Sequence, residues 1–439
     1  MYGDHPGAAG GGWALKEGWQ LSTLDQLGRI VTGKTPATSE PENYGGNIPF
    51  VSPSDMQGQR IIEDVARYLS DTGAAKVRNS IIPARAVMVS CIGSDMGKAA
   101  IAARRCVTNQ QINSVIASSD HDPLFIYYNL SARKDEIRGS ASGSAQPILN
   151  KSAFGRMKID LPPLPEQRAI AATLGALDDK IELNRKMNAT LEAMARALFR
   201  DWFVDFGPTR ARMEGRAPYL SPDLWSLFPD RLDAEGKPEG WEVGTLIDLA
   251  LLNPESWTAR NAPARVSYVD LANTKWGSID KVEEYAWADA PSRARRVLRA
   301  GDTIVGTVRP GNGSFCYIGE DSLTGSTGFA ALRPKNLRDK AFVWCAATSP
   351  ENIDRLAHLA DGGAYPAVRP EAVAATGIVI PPADVLNAFR SAVSANLDLM
   401  EANRAESRTL AQTRDLLLPR LMSGELRVAE AETLAREVA

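Results

Sequence analysis

The stretch "PEQRAIAATLGALDDKIELNRKMNATLEAMARALFRDWF", residues 165–203, decides the fold of this chain. Apolar residues and two asparagines recur in it in alternating steps of four and three, which is the heptad pattern of a long helix that packs on another helix. Pro165 stands at the start, where proline is tolerated, and Gly207-Pro208 is expected to end the helix. The seam consists of Ile170, Leu174, Leu177, Ile181, Asn184, Asn188, Leu191, Ala195, Leu198 and Trp202.

Much of this stripe returns 219 residues further on, as Phe389, Val393, Asn396, Met400, Asn403, Ser407, Leu410, Arg414, Leu417 and Leu421. We expect the second helix to begin near Pro382 and to end at Pro419 and Gly424. Each helix is on the order of 55 Å long, and a seam of that length needs more than one small domain to cover it. The two helices are therefore expected to pack on each other, with the polar seam residues favouring one register. Two ordinary core helices in separate domains are the alternative.

The segments before the two helices repeat as well. "WQLSTLDQL" from Trp19 matches "WEVGTLIDL" from Trp241, and Pro147 pairs with Pro366 at the same offset of 219. Each half has roughly 140 residues of short β-type runs, broken by Gly, Pro and Asn turns, followed by its long helix. The sequence predicts an α+β fold in which two α/β domains form a repeat joined by two long antiparallel coiled-coil-like helices.

The repeat also predicts the domain boundaries. In chain order we expect a disordered N-terminal tail (1–17), a first domain (18–164), a central long helix (165–207), a linker (208–240), a second domain (241–381), a C-terminal long helix (382–426) and a C-terminal tail (427–439).

Composition narrows the function classes. The net charge of −3 gives no global positive field for nucleic acid, although a local patch can still read bases. The four scattered cysteines form no C-x-x-C pair, and the presence of only three histidines argues against a zinc site or a histidine triad. No apolar run reaches the length of a membrane span and no signal-peptide core is present, so we expect a cytoplasmic protein with no membrane contact.

"GRIVTGKT", Gly28–Thr35, fits the spacing of a nucleotide-binding P-loop. That loop requires a buried strand before it and a helix after it. The preceding residues alternate polar and apolar, and the following "PATSEPENYGG" cannot sustain a helix. A P-loop NTPase is thus an alternative that the flanking sequence disfavours.

Residues 159–206, "IDLPPLPEQRAIAATLGALDDKIELNRKMNATLEAMARALFRDWFVDF", resemble the specificity subunits of Type I restriction–modification systems. "TGKTP", "YGGNIPFVSPSDM" and "GSASGSAQPILNKSAFGRMKIDLPP" are similarly typical of the target-recognition halves of that family. The resemblance covers nearly the whole chain after its first fifteen or so residues.

The resemblance implies that two target-recognition domains, related by a pseudo-two-fold axis, each read one half of a split double-stranded DNA site. Two methyltransferase (modification) subunits would dock on this scaffold of domains and helices, and restriction/translocase subunits would join the full complex. S-adenosylmethionine, ATP and Mg²⁺ would belong to those partners, so this chain would be no enzyme and would hold no cofactor or metal. Glu166 and Gln167 are candidates for partner docking, but Val385 and Leu386 replace them in the second half.

Glycine-rich loops with Lys, Arg, Ser, Thr, Asn or Gln suit contacts to phosphates and base edges. The candidates are Lys34, Thr35, Ser90, Ser94, Lys98, Asn109, Gln110, Gln111, Arg138, Ser144 and Gln146 in the first half, and Arg309, Asn312, Ser326, Thr327, Tyr365 and Arg369 in the second. The segment "RARRVLR", Arg293–Arg299, is either a phosphate contact or a solvated face. A protein-only coiled-coil scaffold is the remaining alternative function.

Overall fold

The computed structural model describes residues 17–141, 147–360 and 366–436, the side chain of Arg436 excepted. The chain divides into two compact units, residues 1–183 with 406–439 and residues 184–405. All of the expected N-terminal tail except Glu17 lies outside the described residues.

The first unit contains a five-stranded sheet of order β2-β10-β7-β8-β4, a second sheet of order β5-β3-β9-β6, and the pair β1-β11. Its strands are β1 Gln20–Thr23, β2 Gly28–Thr32, β3 Tyr44–Val51, β4 Ile61–Ile62, β5 Tyr68–Leu69, β6 Ile81–Ile82, β7 Val87–Ser90, β8 Ala99–Ala102, β9 Cys106–Thr108, β10 Ile112–Ala117 and β11 Lys158–Leu161. The helices from α1 to α5 lie among and after these strands. In chain order they are α1 Asp71–Lys76, α2 Pro123–Ser131, α3 Lys134–Gly139, α4 Lys151–Gly155 and the long α5 Leu164–Phe203.

The second unit contains sheets of order β13-β22-β19-β20 and β17-β14-β21-β18, the pair β12-β23, and a hairpin β15-β16. Its strands are β12 Glu242–Thr245, β13 Ala250–Leu252, β14 Arg265–Val269, β15 Thr274–Lys275, β16 Ser278–Ile279, β17 Glu283–Ala286, β18 Ala294–Val297, β19 Thr303–Gly306, β20 Phe315–Tyr317, β21 Leu323–Ser326, β22 Phe329–Pro334 and β23 Gly377–Ile380. Its shorter helices are α6 Gly207–Met213, α7 Pro222–Ser226, α8 Leu246–Leu249, α9 Lys340–Ala347, α10 Pro350–Ala360 and α11 Pro370–Ala374. The chain ends with α12 Ala383–Met422 and α13 Val428–Arg436.

The two units share one topology. The strand order β2-β10-β7-β8 of the first is repeated by β13-β22-β19-β20 in the second, and β5-β3-β9-β6 by β17-β14-β21-β18. The sheets of order β5-β3-β9-β6 and β17-β14-β21-β18 also contain one parallel pair each at the matching place, β3 with β9 and β14 with β21. The repeat predicted from the sequence is therefore a repeat of structure.

Local sequence explains the main elements of the first unit. The residues of β7 are all buried, as a central strand covered on both faces requires, while β11 alternates exposed and buried side chains. Asp122 caps α2, because its carboxylate accepts hydrogen bonds from the amides of Leu124 and Phe125 at 2.9 and 3.0 Å. Pro123 then occupies the first helical position.

Both long helices pass through both units. In the first unit Ile170, Leu174 and Leu177 of α5 share a core with Leu410 and Leu417 of α12. In the second unit α5 and α12 meet again in one core, through Ala195, Phe199, Trp202, Phe389, Val393, Leu397 and Met400. Within the second unit lower numbers on α5 pair with higher numbers on α12, as in Asn184 with Asn403 and Asn188 with Met400, so the helices run antiparallel. The α+β fold class with two long antiparallel helices is thus confirmed, and two separate core helices are excluded.

The ends of these helices differ from the sequence prediction. Helix α5 ends at Phe203, and Gly207-Pro208 instead begins α6, after Phe206 adopts a left-handed conformation with φ of 53°. Pro419 lies inside α12, which continues to Met422. Its ring removes the hydrogen bond that an amide at this position would donate to the carbonyl of Asp415, and the stop follows at Gly424, whose φ is +71°.

The segment 427–439, expected to be a tail, contains helix α13. Ala431 of this helix is buried in the core of the first unit, and Val428 and Ala435 pack against the same core. Within the expected linker 208–240, residues of α6 are buried too, namely Pro208, Thr209 and Ala211. Among the described residues, none of the helices is long and apolar enough to cross a membrane.

Candidate DNA-recognition surfaces

Four loops of the first unit meet at one end of its larger sheet. They follow β2, connect β7 to β8, connect β9 to β10, and precede α4. The amide of Lys34 donates to the carbonyl of Thr108 at 2.9 Å. The amide of Cys91 donates to the carbonyl of Gln111 at 2.7 Å, and that of Leu149 to the carbonyl of Cys91 at 2.9 Å. The loops therefore form a single cluster.

Gly33 permits the closest approach within this cluster. A Cβ atom at this position would lie 1.9 Å from the carbonyl oxygen of Asn109 and 2.3 Å from that of Thr108. Those atoms belong to the main chain and cannot rotate away. Only a glycine at position 33 thus allows the loop after β2 to reach the loop between β9 and β10.

The first-half candidates for DNA contact divide by exposure. Exposed are Lys34, Ser94, Gln110 and Arg138; half-buried are Thr35, Lys98 and Gln111; buried are Ser90 and Asn109; Ser144 and Gln146 lie outside the described residues. The side chain of Asn109 bonds with Gln111 twice, donating to its Oε1 and accepting from its amide, both at 3.0 Å. In the described structure Asn109 therefore fixes its own loop.

Two cationic side chains hold the loop between β7 and β8. The guanidinium of Arg138 donates to the carbonyls of Ser94 and Met96 at 2.9 and 3.2 Å. The ammonium of Lys98 lies 2.8 Å from the carboxylate of Asp95. Lys34 contributes a further exposed positive charge to this end of the sheet.

The second unit builds the same kind of cluster from its matching loops. The amide of Arg309 donates to the carbonyl of Pro366 at 2.8 Å, and that of Val368 to Thr307 at 2.9 Å. Thr307 in turn donates its amide to the carbonyl of Gly328 at 2.8 Å. Exposed here are Arg309, Asn312, Thr327 and Arg369; Ser326 is buried; Tyr365 lies outside the described residues.

The arginine-rich segment 293–299 borders this second cluster. The carbonyl of Arg293 accepts the amide of Thr327 at 2.8 Å, and the guanidinium of Arg295 stacks on Trp287 at 4.4 Å. Arg299 pairs with Glu255 at 3.1 Å. Arg296 lacks a comparable contact at its Nε atom, which is buried without a hydrogen-bond partner among the described residues. Burial lowers the pKa of the Arg296 guanidinium.

The P-loop alternative is wrong. Gly28–Thr32 is strand β2, paired antiparallel with β10, and no helix follows it directly. The amides of Gly33 and Lys34 already donate to the carbonyls of Ile112 and Thr108, at 3.0 and 2.9 Å. A phosphate-binding loop needs such amides free at the start of a helix.

Glu166 and Gln167, the docking candidates, have partners inside the first unit. Gln167 is 1% exposed, its Oε1 accepts the amide of Asp122 at 2.9 Å, and its Nε2 donates to the carbonyl of Pro162 at 2.8 Å. The carboxylate of Glu166 accepts from the indole of Trp19 at 3.1 Å. Val385 and Leu386 are buried at the matching place in the second unit. The first helix start is therefore held by hydrogen bonds and the second by apolar packing.

The described residues contain little that could perform chemistry. Burial raises the pKa of the Cys91 thiol to about 11 and those of Cys106, Cys316 and Cys345 to about 12. Such thiols stay protonated and unreactive at neutral pH. Within the described part of the chain, no three His, Cys, Asp or Glu side chains are grouped so that they could hold a metal ion.

One prominent surface feature escaped the sequence prediction. The turn between β15 and β16 places Trp276 beside Gly313, next to Asn312 in the second loop cluster. The sequence offered only the pair Trp276-Gly277 as a signal, and a lone tryptophan is more commonly a core residue.

The chain thus contains a duplicated domain in which polar loops form a cluster at the end of a sheet in each unit. Residues 16–193 match the family model described as "Type I restriction modification DNA specificity domain". The chain is 26% identical over 438 residues to the Type I restriction enzyme MjaIX specificity subunit of Methanocaldococcus jannaschii, covering 95% of each chain. It is 34% identical over 151 residues to the HindI specificity subunit of Haemophilus influenzae, covering 34% of this chain and 33% of that one.

A solved structure shares the fold. The S subunit of a Type I restriction–modification system from M. genitalium aligns with a TM-score of 0.55 and 15% identity, over 92% of this chain and 96% of that one. The family model and these relatives confirm the resemblance, read from the sequence, to the specificity subunits of Type I restriction–modification systems.

Proposed function

We propose that this chain is the sequence-reading subunit of a Type I restriction–modification complex and recognises a bipartite double-stranded DNA target. Each unit reads one half of the target with its own loop cluster. The observation that carries the proposal is the duplication of the cluster: the same loops of the same topology meet at the matching sheet end in both units.

The exposed side chains of the two clusters suit DNA. Lys34 and Arg138 in the first unit and Arg309 and Arg369 in the second can neutralise phosphates or bind the edge of guanine. Gln110 and Asn312 can bind the edge of adenine in the major groove. The clusters differ in residue type, so we expect the two half-sites to differ in sequence.

Methyltransferase and restriction subunits are proposed to supply the chemistry. We assign S-adenosylmethionine, ATP and Mg²⁺ to them and propose that this chain is non-catalytic and binds no cofactor. A groove of about 530 Å³ in the second unit supports a protein partner. Val243 and Val204 line it in exposed positions, beside Phe203 and Phe206. Exposed apolar residues around an aromatic-lined groove are typical of protein interfaces.

Co-expression with the cognate methyltransferase subunit, in a host that lacks DNA methylation of its own, tests the proposal. Single-molecule sequencing of the host DNA maps every methylated adenine. We expect a split motif, with two short specified parts and a fixed unspecified gap. Complete absence of methylation while the two chains co-purify would contradict it and favour the protein-only scaffold.

A further inference from the structure

Trp276 is an exposed indole held in a strained conformation. Its side chain is 63% exposed, the largest exposed fraction of any tryptophan among the described residues. Its φ of +47° lies in the left-handed region, which a bulky side chain rarely adopts. Backbone strain of this kind persists where the surrounding structure enforces it, and it is enriched at functional sites.

The surroundings that enforce it belong to the second loop cluster. The amide of Trp276 donates to the carbonyl of Gly313 at 2.7 Å, and that of Gly277 to Phe315 at 2.9 Å. The ring lies so close to Gly313 that a Cβ atom there would be 2.5 Å from it. Phe315 meets the ring edge-on, with the centroids 5.7 Å apart. Gly313 follows Asn312 directly, so the indole stands beside a loop proposed to read DNA.

The segment leading to Trp276 lies at the same end of the sheets. Leu271 follows β14 and lies against Gly306 and Gly328, the residues at which two loops of the cluster begin and end. The hydroxyl of Ser314 donates to the carbonyl of Leu271 at 3.0 Å. The turn that carries Trp276 is therefore a further loop of the cluster.

The other side of the turn is anchored to a long helix. The guanidinium of Arg404 on α12 donates to the carbonyl of Gly277 at 2.6 Å and pairs with Glu401. Since Gly277 is fixed behind it and Gly313 beneath it, the indole is preorganised. A preorganised aromatic side chain loses little conformational entropy when it binds, which makes it an efficient contact residue.

We propose that Trp276 contacts a base of the second half-site and determines specificity at one position there. This inference rests on the proposed function. The apolar face of the indole suits the C5-methyl group of thymine in the major groove, where the loss of an apolar contact distinguishes thymine from the other bases. Its N–H group, which has no acceptor among the described residues, remains free for a base or phosphate oxygen.

The matching place in the first unit differs. The turn after β3 carries Gly58, with φ of +103°, between Gln57 and Gln59, and has no aromatic residue. Both glutamine amides donate to carbonyls of their own loop, to Ser54 at 3.3 Å and to Asp55 at 2.6 Å. The proposed apolar contact therefore belongs to the second half-site alone.

The test compares methylation motifs of the full chain co-expressed with its methyltransferase subunit. Trp276→Gly removes the ring and adopts the left-handed backbone without strain; Trp276→Phe keeps an apolar ring. Leu337→Ala is the matched control, because Leu337 is 60% exposed in a turn after β22, away from the cluster. We expect Trp276→Gly to reduce discrimination by on the order of tenfold at one thymine position of the second half-site, Trp276→Phe to reduce it less, and Leu337→Ala to change nothing.

The outcomes separate this inference from the proposed function. A wild-type split motif that Trp276→Gly leaves unchanged overturns the role of Trp276 while the proposed function stands. A wild type without any split motif overturns both. If Trp276→Gly weakens co-purification of the methyltransferase while the remaining methylation keeps the wild-type motif, Trp276 is a protein contact and the inference is wrong. Loss of all methylation by Trp276→Gly supports it only if the unfolding temperature and co-purification match those of the wild type, and overturns it otherwise.

Discussion

The side-chain amide of Asn403 donates a 2.8 Å hydrogen bond to Oδ1 of Asn188 across the two long helices of the second unit. Two further bonds flank it, from Asn184 to the carbonyl of Asn403 at 3.3 Å and from Asn188 to the carbonyl of Met400 at 3.1 Å. Together they form a polar layer between apolar layers of the seam. A slip of the helices by one turn would separate these groups, so the layer specifies the register at a cost in stability.

The polar layer predicts a non-additive response to substitution. Asn403→Leu leaves Oδ1 of Asn188 without its donor, whereas the double substitution Asn188→Leu/Asn403→Leu removes both partners. We expect a coupling of about 1 kcal/mol in the free energy of unfolding, measured by urea titration, with the double variant more stable than Asn403→Leu alone. Asn396→Leu, at a half-buried seam position outside the layer, is the control. Strictly additive effects would contradict the coupling.

The helix seam and the repeat were predictable from the sequence because they are periodic. Heptad spacing depends only on local helix geometry, and the offset of 219 residues can be read without knowing any contact. The helix ends were not predictable in the same way. Pro419 looks like a stop signal, but α12 continues past it to Met422 although the proline removes one main-chain hydrogen bond.

The recognition loops were predictable only as segments. Ser90 and Asn109 have the polar chemistry of DNA contacts, yet the fold buries both, because β7 and β10 are central strands and their loops fold inward. The side chain of Gln167 forms hydrogen bonds with the carbonyl of Pro162 and with the amide of Asp122, which lies 45 residues away in the sequence. No local sequence pattern indicates this pairing. Trp276 could not be assigned to the surface, since its exposure depends on Gly313 in a distant loop.

A half-buried ion pair between the helices of the first unit predicts a measurable stability effect. Arg414 lies 2.7 Å from Asp178, whose other oxygen accepts from the hydroxyl of Tyr128 at 2.6 Å. Arg414→Met removes the nearer cation of this carboxylate and leaves Arg60 at 4.0 Å, and we expect a loss of about 2 kcal/mol in the free energy of unfolding, by urea titration. The matched control is Arg420→Met, because Arg420 pairs with Glu425 at the surface and its loss should change little. Equal effects of the two substitutions would contradict this account.

The four buried thiols predict a loss of stability in alkali. Their pKa values are raised in the folded state to about 11 or 12, while unfolded thiols ionise near about 8.5. The folded state keeps these protons to a higher pH than the unfolded state does. The stability that the buried thiols contribute is therefore fully present below about pH 8.5 and is lost as pH rises through 11 to 12.

Thiol labelling checks the burial of the four cysteines, on which this expectation rests. At pH 8 we expect a thiol reagent to label none of the four cysteines in the folded protein and all of them in urea. Rapid labelling of the folded protein would show that at least one thiol is accessible, and would contradict the burial that raises its pKa.

The contact at Gly33 predicts that a single methyl group disrupts the first recognition cluster. Gly33→Ala would place Cβ against the main chain of Thr108 and Asn109 and force the loops apart. We expect at least about a tenfold loss of methylation in the co-expression assay, because the exposed Lys34 and Gln110 would leave their common surface. Gly139→Ala is the control, since a Cβ there meets no atom within 4 Å. Wild-type methylation by Gly33→Ala would mean that the packing of these loops does not matter for recognition.

The apolar groove of the second unit predicts where a partner subunit binds. Val243 is 66% exposed on β12 and Val204 follows the end of α5, so neither side chain is needed for the core. Val243→Asp places a charge where an apolar partner surface would have to bury it, and the double variant Val204→Asp/Val243→Asp places two. We expect the double variant to reduce co-purification of the methyltransferase subunit by at least about tenfold while the unfolding temperature stays that of the wild type.

Leu337→Asp adds the same charge to another exposed apolar site and should leave association unchanged. Full association of the double variant would place the docking surface elsewhere on the chain, and equal loss with Leu337→Asp would show that charge rather than position is responsible.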